Sequence, residues 1–419
     1  MSRERVAVIG SGVSGLTAAY LLQRRYDVLL FEADDRLGGH AHTHDVPAAN
    51  GRTVAVDSGF IVHNKRTYPN LLRLFDELGV PTKDSEMSMS VRCDGCGLEY
   101  AGARQLNGLF AQPRNAANPR FLRMLGEILR FHRHARRLIA EPDAGDTTLG
   151  AFLAIGGYSR YFVEHFVLPV VSAVWSADRG TAKHYPARYL FTFLDHHGLL
   201  AIGGSPTWRT VVGGSRSYVE LAAKNLTAVH LGSPVRTVSR HADGIEIRDS
   251  GDLRYDVDRV VLATHPDQAL ALLEPTPGEA RLLGAFRYSR NETVLHRDPN
   301  VLPGAQRARA SWNYRKPSCA GDPGSVLVSY DMNRLMRLDE ASEHIVTLNG
   351  AEHVAPEHVI ATMVYEHPIY TPESVAAQRE LPSLNTGRTA FAGAYHGWGF
   401  HEDGCASGVR AAAALGATW

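Results

Sequence analysis

Cysteine is scarce in this chain. Four thiols in 419 residues cannot form a disulfide framework, and Cys93 and Cys96 make a lone Cys-x-x-Cys with no second pair to close a tetrahedral zinc site. No metal is therefore expected. Neither sign of charge is in excess, 44 Lys+Arg facing 44 Asp+Glu, so there is no overall electrostatic pull toward nucleic acid or an anionic membrane, and no nucleic-acid partner is expected. No apolar run reaches the roughly eighteen residues that a membrane-spanning helix needs. The opening Met1-Ser-Arg-Glu-Arg5 lacks the apolar core and cleavage site of a signal peptide, so a cytoplasmic location is the expectation. Internal repeats and low-complexity segments are missing too. What remains is an ordinary globular composition, 44% hydrophobic and 21% charged, with length enough for two or three domains and a large ligand between them.

The first forty residues carry the strongest signal. Val6-Ala-Val-Ile9 predicts a short buried strand, Gly10-Ser-Gly12-Val-Ser14-Gly15 a glycine turn, and Leu16 to Arg25 a helix. Asp27-Val-Leu-Leu-Phe31 predicts a second parallel strand ending at Glu32. In this order Gly10 permits the tight turn, Gly12 lets the backbone approach a pyrophosphate, and Gly15 lets helix and strand pack closely. The helix N-terminus presents free N–H groups and a positive dipole end to the phosphates, and Glu32 accepts from a ribose hydroxyl. The motif as a whole points to a bound dinucleotide.

The continuation Glu32-Ala33-Asp-Asp-Arg36-Leu-Gly38-Gly39-His40 resembles the extended signature of FAD-dependent oxidoreductases of the flavin amine oxidase and phytoene desaturase superfamily. That resemblance implies FAD, with Arg36 neutralising the pyrophosphate and Gly38-Gly39 alongside the cofactor. Ser14 and Ala33, inside the same motifs, join the cofactor-binding set. The resemblance also implies an adenine contact from the backbone at Val235, and brings the strand Val260 to Thr264 to the cofactor at Thr264.

Near the end, Gly393-Ala-Tyr395-His396-Gly-Trp398-Gly-Phe400-His401-Glu402-Asp403-Gly404-Cys405-Ala-Ser407-Gly408 precedes an alanine-rich helix. Here a strand delivers Gly393, and a helix beginning near Gly404 aims its dipole at the flavin pyrimidine, with Glu402, Asp403 and Ser407 close by. This ending is similar to that of a bacterial group of FAD-binding proteins often associated with fatty-acid modification, alongside cyclopropane-type methyltransferases. Val56 to Asn64, His196 to Leu200, Ser311 to Tyr314 and Ser329 to Asn333 extend the likeness along most of the chain.

The expected fold is α/β: a discontinuous Rossmann-type FAD-binding domain (1–80, 205–270 and 385–419) with an α+β substrate-binding domain (81–204 and 271–384), an amine-oxidase-like two-domain architecture. The stretch 120–139 has helical apolar spacing and a basic face, with Arg120, Arg123, Arg130, Arg133, Arg136 and Arg137 against Glu127 alone. Such a face suits an acyl-carrier protein, a coenzyme A phosphate or a membrane surface; a plain solvated face is the alternative.

A flavin that exchanges hydride needs a hydrophobic slot and a proton-transfer group. Tyr395, His396, His401 and Glu402 are the catalytic candidates, the histidines because an imidazole near neutral pKa shuttles protons, Glu402 because an apolar slot raises a carboxyl pKa. Asp403 suits a helix N-cap. Phe60, Tyr314 and Trp398 are the substrate candidates, and Asn333 a weaker one. His40, His42 and His44 share one face if extended, but in this resemblance the segment passes the flavin without a metal, and His40 contacts cofactor or substrate. A catalytic lysine of the amine oxidase kind is not evident; Lys316 stands nearest the Trp-Asn-Tyr run. The expectation is an FAD-dependent oxidoreductase that desaturates or oxidises a hydrophobic, fatty-acyl or polyene-like substrate by hydride transfer. A redox-neutral double-bond isomerase and a flavin-binding partner of an acyl-carrier protein are the alternatives.

Overall fold

The apolar runs at Val6 and Val28 are buried on both faces, which suits parallel strands covered by helices on each side. In the computed structural model, which describes residues 3–48, 51–102, 105–141, 147–201, 203–319 and 326–419, they form β1 (Arg5–Ile9) and β2 (Asp27–Phe31). Val8 pairs with Leu30, and on the other side of β1 with Val261 of β14 (Arg259–Leu262). β10 (Ala228–His230) and β20 (Thr389–Phe391) complete a five-stranded parallel sheet of order β10-β2-β1-β14-β20. Three distant parts of the chain thus build one sheet. Beside it stands an antiparallel sheet of β11 (Val235–Arg240), β12 (Ile245–Asp249) and β13 (Arg254–Val257).

A second, seven-stranded sheet has the order β19-β15-β18-β17-β16-β7-β8. Its members are β7 (Met89–Cys93), β8 (Leu98–Gly102), β15 (Arg287–His296), β16 (Trp312–Lys316), β17 (Leu327–Asp331), β18 (Ile345–Leu348) and β19 (Val359–Ile369). Smaller pairings link the layers: β3 (Thr43–Pro47) with β4 (Thr53–Asp57), and β5 (His63–Asn64) and β6 (Thr82–Asp84) on either side of β9 (Trp208–Val211). The helices that position the site are α1 (Val13–Leu22), α2 (Pro69–Leu78), α3 (Pro119–Ala140), α4 (Leu168–Trp175), α5 (Ala187–His196), α6 (Arg216–Ala223) and α7 (His401–Ala414).

α3 covers the predicted basic stretch. Asn118 caps it by accepting from the Arg120 and Phe121 N–H groups, and Phe121, Met124, Phe131 and Ala135 face the core. The expected apolar face is narrower than the sequence spacing gave: Leu122 and Leu129 are 45% and 46% exposed, among the arginines.

α1 and α7 lie backbone to backbone. A Cβ on Gly404 would come within 2.6 Å of Val13 Cγ1, and one on Gly408 within 2.3 Å of the Ser14 carbonyl oxygen. Gly15 similarly fits against the Gly10 carbonyl, as the motif predicts. Gly404 is thus a packing residue in the first turn of α7, which begins at His401, three residues before the start expected near Gly404.

Gly408→Ala must push the two helices apart, and overpacking of this kind costs about 1–3 kcal/mol. The thermal midpoint is expected to drop and bound FAD to dissociate more readily. Gly126→Ala on α3, where a Cβ meets nothing within 4 Å, is the control and should leave both unchanged or slightly raise the midpoint.

Candidate active site

The turn from β1 into α1 has the features a dinucleotide needs. No side chain caps the α1 N-terminus at Gly12, and a Cβ there would meet nothing within 4 Å. Its amides therefore face open space. At the end of β2, Glu32 is fixed by the Ser11 N–H at 2.9 Å and the Ser11 hydroxyl on one oxygen and by the Asp34 N–H at 3.0 Å on the other, which keeps one acceptor lone pair for a ribose. The Ser233 N–H donates to the Glu32 carbonyl, which sets Val235, the first residue of β11, just beyond the Glu32 end of β2; Ala33 is exposed beside it. Thr264 follows β14, where the Ala263 carbonyl lies against Gly10. Arg36 donates to the Gly39 carbonyl at 2.8 Å, so its guanidinium secures the Gly38-Gly39 loop while placing positive charge beside it.

His40 extends from that loop toward β19. Its ring lies 5.0 Å from Tyr365 and 5.4 Å from His367, and its Nε2 is buried with no partner. A buried orphan atom next to the glycine loop fits a bound cofactor. His42 and His44 share the opposite role: their rings sit 4.0 Å apart, bonded to the hydroxyls of Tyr365 and Ser58.

The segment from Gly393 to α7 departs most from expectation. Ser407 is buried, accepting from the Gly393 N–H and donating to the Gly404 carbonyl, so it braces Gly393, and its one donor is taken up within the protein. Asp403 lies in the first turn of α7 and is not its N-cap; it accepts from the Phe400 N–H at 2.9 Å. Burial pushes its carboxyl up to about 7. Glu402 is engaged by backbone: its two oxygens accept from Asn70 N and Nδ2 and from Leu71 N, capping α2 from outside, and burial raises its carboxyl, as expected of an apolar slot. Tyr395 is core, packed on Phe286 and against Gly393, with 1% exposure.

His401 and His396 are separated. His401 stacks on Phe60 at 3.7 Å and bonds Tyr218 of α6 through Nε2 at 3.0 Å. His396 instead lines a different cavity with Phe391, Asn385 and Arg410. Burial pushes both imidazoles down to about 3, so they are neutral at pH 7 and neither is the near-neutral proton shuttle expected.

Trp398 does reach a cleft. Its indole N–H donates to the Tyr189 carbonyl, its own carbonyl accepts from Trp175 Nε1, and Tyr189 Oη donates to the Gly397 carbonyl, strapping this loop to α5. The cleft of about 460 Å³ is lined by Arg66, Thr67, Tyr68, Phe193, Asp195, His196, His197, Trp398, Phe400, Glu402 and Asp403. Phe193 stacks on Phe400 at 4.6 Å and on His197 at 3.9 Å. Phe193 and Tyr68 were not singled out in the sequence, although His196-His197 was part of the resemblance. Phe60 and Tyr314 do not line this cleft: Phe60 supports His401, and Tyr314 is buried among the helices of the substrate domain. Asn333 braces a loop through Glu340, Ser342 and His344. Lys316 is 2% exposed and paired with Glu164 at 2.6 Å, outside the cleft lining. Cys93 and Cys96 are not alone in space: Cys319 and His165 lie against them, so the missing second pair does not carry over to three dimensions.

An uncapped helix at a glycine turn, an acidic residue one strand away and a second helix N-terminus packed beside the first define a dinucleotide-binding flavoprotein. The family model of flavin containing amine oxidoreductases matches residues 13–296, and the chain belongs to that family, with FAD as its cofactor. A putative flavin-containing monoamine oxidase of Mycobacterium tuberculosis is 27% identical over 284 residues, 64% of this chain and 58% of that protein; the match spans little more than half of that relative. The fold is that of cyclohexylamine oxidase from Brevibacterium oxydans, at TM-score 0.71, 18% identity and 99% and 98% of the two chains. It is also that of a CLA-producing fatty acid isomerase from P. acnes, at TM-score 0.68, 16% identity and 97% of each chain. The two-domain architecture is thus that of the amine-oxidase-like flavoproteins. No described helix is long and apolar enough to cross a membrane.

Burial also lowers His63 and His367 to about 4. An unfolded histidine titrates near 6.5, so between that pH and 4 the unfolded chain binds more protons than the folded one. The stability from these neutral imidazoles is complete above pH 6.5 and is lost as the pH falls. The thermal midpoint should decline steadily below pH 6.5, and His63→Phe should flatten the decline by at most about 1.4 kcal/mol per pH unit. A midpoint that holds level to pH 4.5 contradicts this.

Proposed function

We propose that the protein is an FAD-dependent oxidoreductase that desaturates or oxidises a hydrophobic, fatty-acyl-like substrate held in the cleft between α5 and the Trp398–Phe400 loop. When bound, FAD supplies the hydride acceptor. The observation that carries the proposal is the composition of the cleft wall. Aromatic rings from Tyr68, Phe193, Trp398 and Phe400 offer an apolar slot, and burial lowers His197 to about 4, so it adds no charge.

The charges of the cleft favour an acid over an amine. Arg66 is exposed at the rim, donates to the Gly204 carbonyl and makes no salt bridge among the described residues, leaving its guanidinium for a carboxylate. The acidic groups are engaged elsewhere: Asp195 pairs with Arg136 at 3.4 Å, Glu402 caps α2, and Asp403 holds the Phe400 amide. An ammonium would have to compete with these partners for each of them. The shared fold with a fatty acid isomerase supports a second reading, double-bond isomerisation without net redox change. The exposed arginines of α3, with Leu122 and Leu129 among them, are proposed to meet an acyl-carrier protein or membrane surface; charge-reversed variants that keep full binding to anionic vesicles and acyl carrier would remove that proposal.

Anaerobic mixing with free long-chain fatty acids should bleach the flavin, whereas primary amines should not. A product with a moved double bond and a flavin that stays oxidised selects the isomerase. Bleaching by amines alone overturns the assignment. Arg66→Glu is expected to raise KM for a fatty acid about tenfold, or about 1.4 kcal/mol, with kcat little changed. Trp398→Ala should also raise KM while leaving the flavin spectrum intact.

A further inference from the structure

Three cysteines and a histidine from separate segments converge within the substrate domain. Cys93 ends β7, Cys96 lies in the turn to β8, and Cys319 follows β16. His165 sits on a single π-helical turn, Val163–Val167, that leads into α4. One ligating atom from each lies within 4.8 Å of all the others. Cys93 Sγ is 3.6 Å from Cys319 Sγ, and Cys96 Sγ is 3.7 Å from His165 Nε2. A tetrahedral ion with zinc–sulfur bonds of about 2.3 Å and a zinc–nitrogen bond of about 2.0–2.1 Å has sulfur–sulfur edges of about 3.8 Å and sulfur–nitrogen edges of about 3.6 Å. These two separations are therefore already those of a tetrahedron's edges.

We infer that Cys93, Cys96, Cys319 and His165 form a Cys3His site for a structural zinc ion. The surroundings are arranged for it. His165 Nδ1 lies 3.0 Å from the Tyr161 carbonyl, which fixes the proton on that nitrogen and leaves the Nε2 lone pair toward the sulfurs. Tyr161 stacks on the imidazole at 4.2 Å, and Tyr100 Oη donates to the His165 carbonyl at 2.7 Å, so the ligand is held at ring and backbone. The Cys96 N–H is directed at the Cys93 sulfur and the Leu98 N–H at the Cys96 sulfur, backbone donors of the kind that support metal-bound sulfur. The Cys319 loop presses so closely on this turn that a Cβ on Gly95 would come within 2.6 Å of the Cys319 nitrogen.

Zinc with three thiolates and one neutral imidazole carries a net negative charge, and the Lys316 and Arg179 cations, which share the single Glu164 carboxylate, offset it from nearby. Soft sulfur ligands and four filled positions select zinc and leave no place for a reactive water, so the site is a staple and not a reaction centre. It ties the β7–β8 hairpin, the loop after β16 and the approach to α4, adding a direct link from the last of these to the neighbouring strands β7 and β16 of the sheet. Cys93 and His165 are buried while Cys96 is exposed, which gives the ion its path in. None of the four lines the proposed substrate cleft, so the inference stands apart from the assigned reaction.

The full-length, FAD-loaded protein tests it. Elemental analysis after desalting should find one zinc per chain, and cobalt exchanged into the chain should give the intense thiolate-to-metal absorption of a tetrahedral sulfur site. Cys96→Ser, at the surface and least disruptive of folding, should cut zinc content at least tenfold while the flavin spectrum persists. Chelation of the wild-type protein should expose Cys96 to alkylation and lower the thermal midpoint. Three findings each overturn the inference: no zinc retained and none taken up on titration, a mass lighter by two hydrogens from a disulfide among these cysteines, or wild-type zinc content in both Cys96→Ser and His165→Ala.

Discussion

The structure depends on the close approach of two helices that lie almost four hundred residues apart in sequence, as the Thr17–Cys405 separation of 388 shows. With no side chains at Gly404 and Gly408, α7 settles onto α1, and the two N-termini end side by side. Each brings unpaired amides and the positive end of a dipole. One such terminus suits a pyrophosphate; two together suit a longer ligand with negative charge at both its middle and its far end. The five-stranded sheet then holds this pair in place, because β1, β14 and β20 are locked in parallel register beneath them.

Function follows from what the second layer adds above that platform. The Trp398–Phe400 loop is pinned by hydrogen bonds to Tyr189 and Trp175, so the aromatic cleft is shaped jointly by both parts of the molecule. β19 approaches from the other side and places Tyr365 and His367 against His40. The acidic groups nearest the cleft are engaged in structure, and burial lowers His197 to about 4. On the proposed reading, chemistry there relies on shape, apolar contact and the cofactor far more than on a charged catalytic side chain.

Much of this was legible in the sequence, and for local reasons. The glycine turn, Glu32 and the paired glycines declare themselves because spacing along a strand–turn–helix fixes position in space. The ending was legible as a motif but not in its roles. Glu402, Ser407 and Asp403 looked like ligands or acids, yet each is drawn to a backbone amide: Asp403 serves the start of its own helix three residues away, while Glu402 serves α2, from the other end of the chain, which proximity in sequence does not reveal. His396 and His401 looked poised to titrate, but an imidazole's pKa is set by burial, which a motif does not state. The Cys93–Cys96 pair seemed incomplete because its partners are far along the chain, Cys319 lying 226 residues from Cys93.

The central claim is that the converging termini of α1 and α7 hold one FAD, and titration of flavin-free protein with FAD tests it most directly. Quenching of flavin fluorescence should saturate at one FAD per chain, with ADP competing for the adenine half and NAD ineffective at the same concentration. Failure to take up FAD, or displacement of FAD by NAD, would contradict the account.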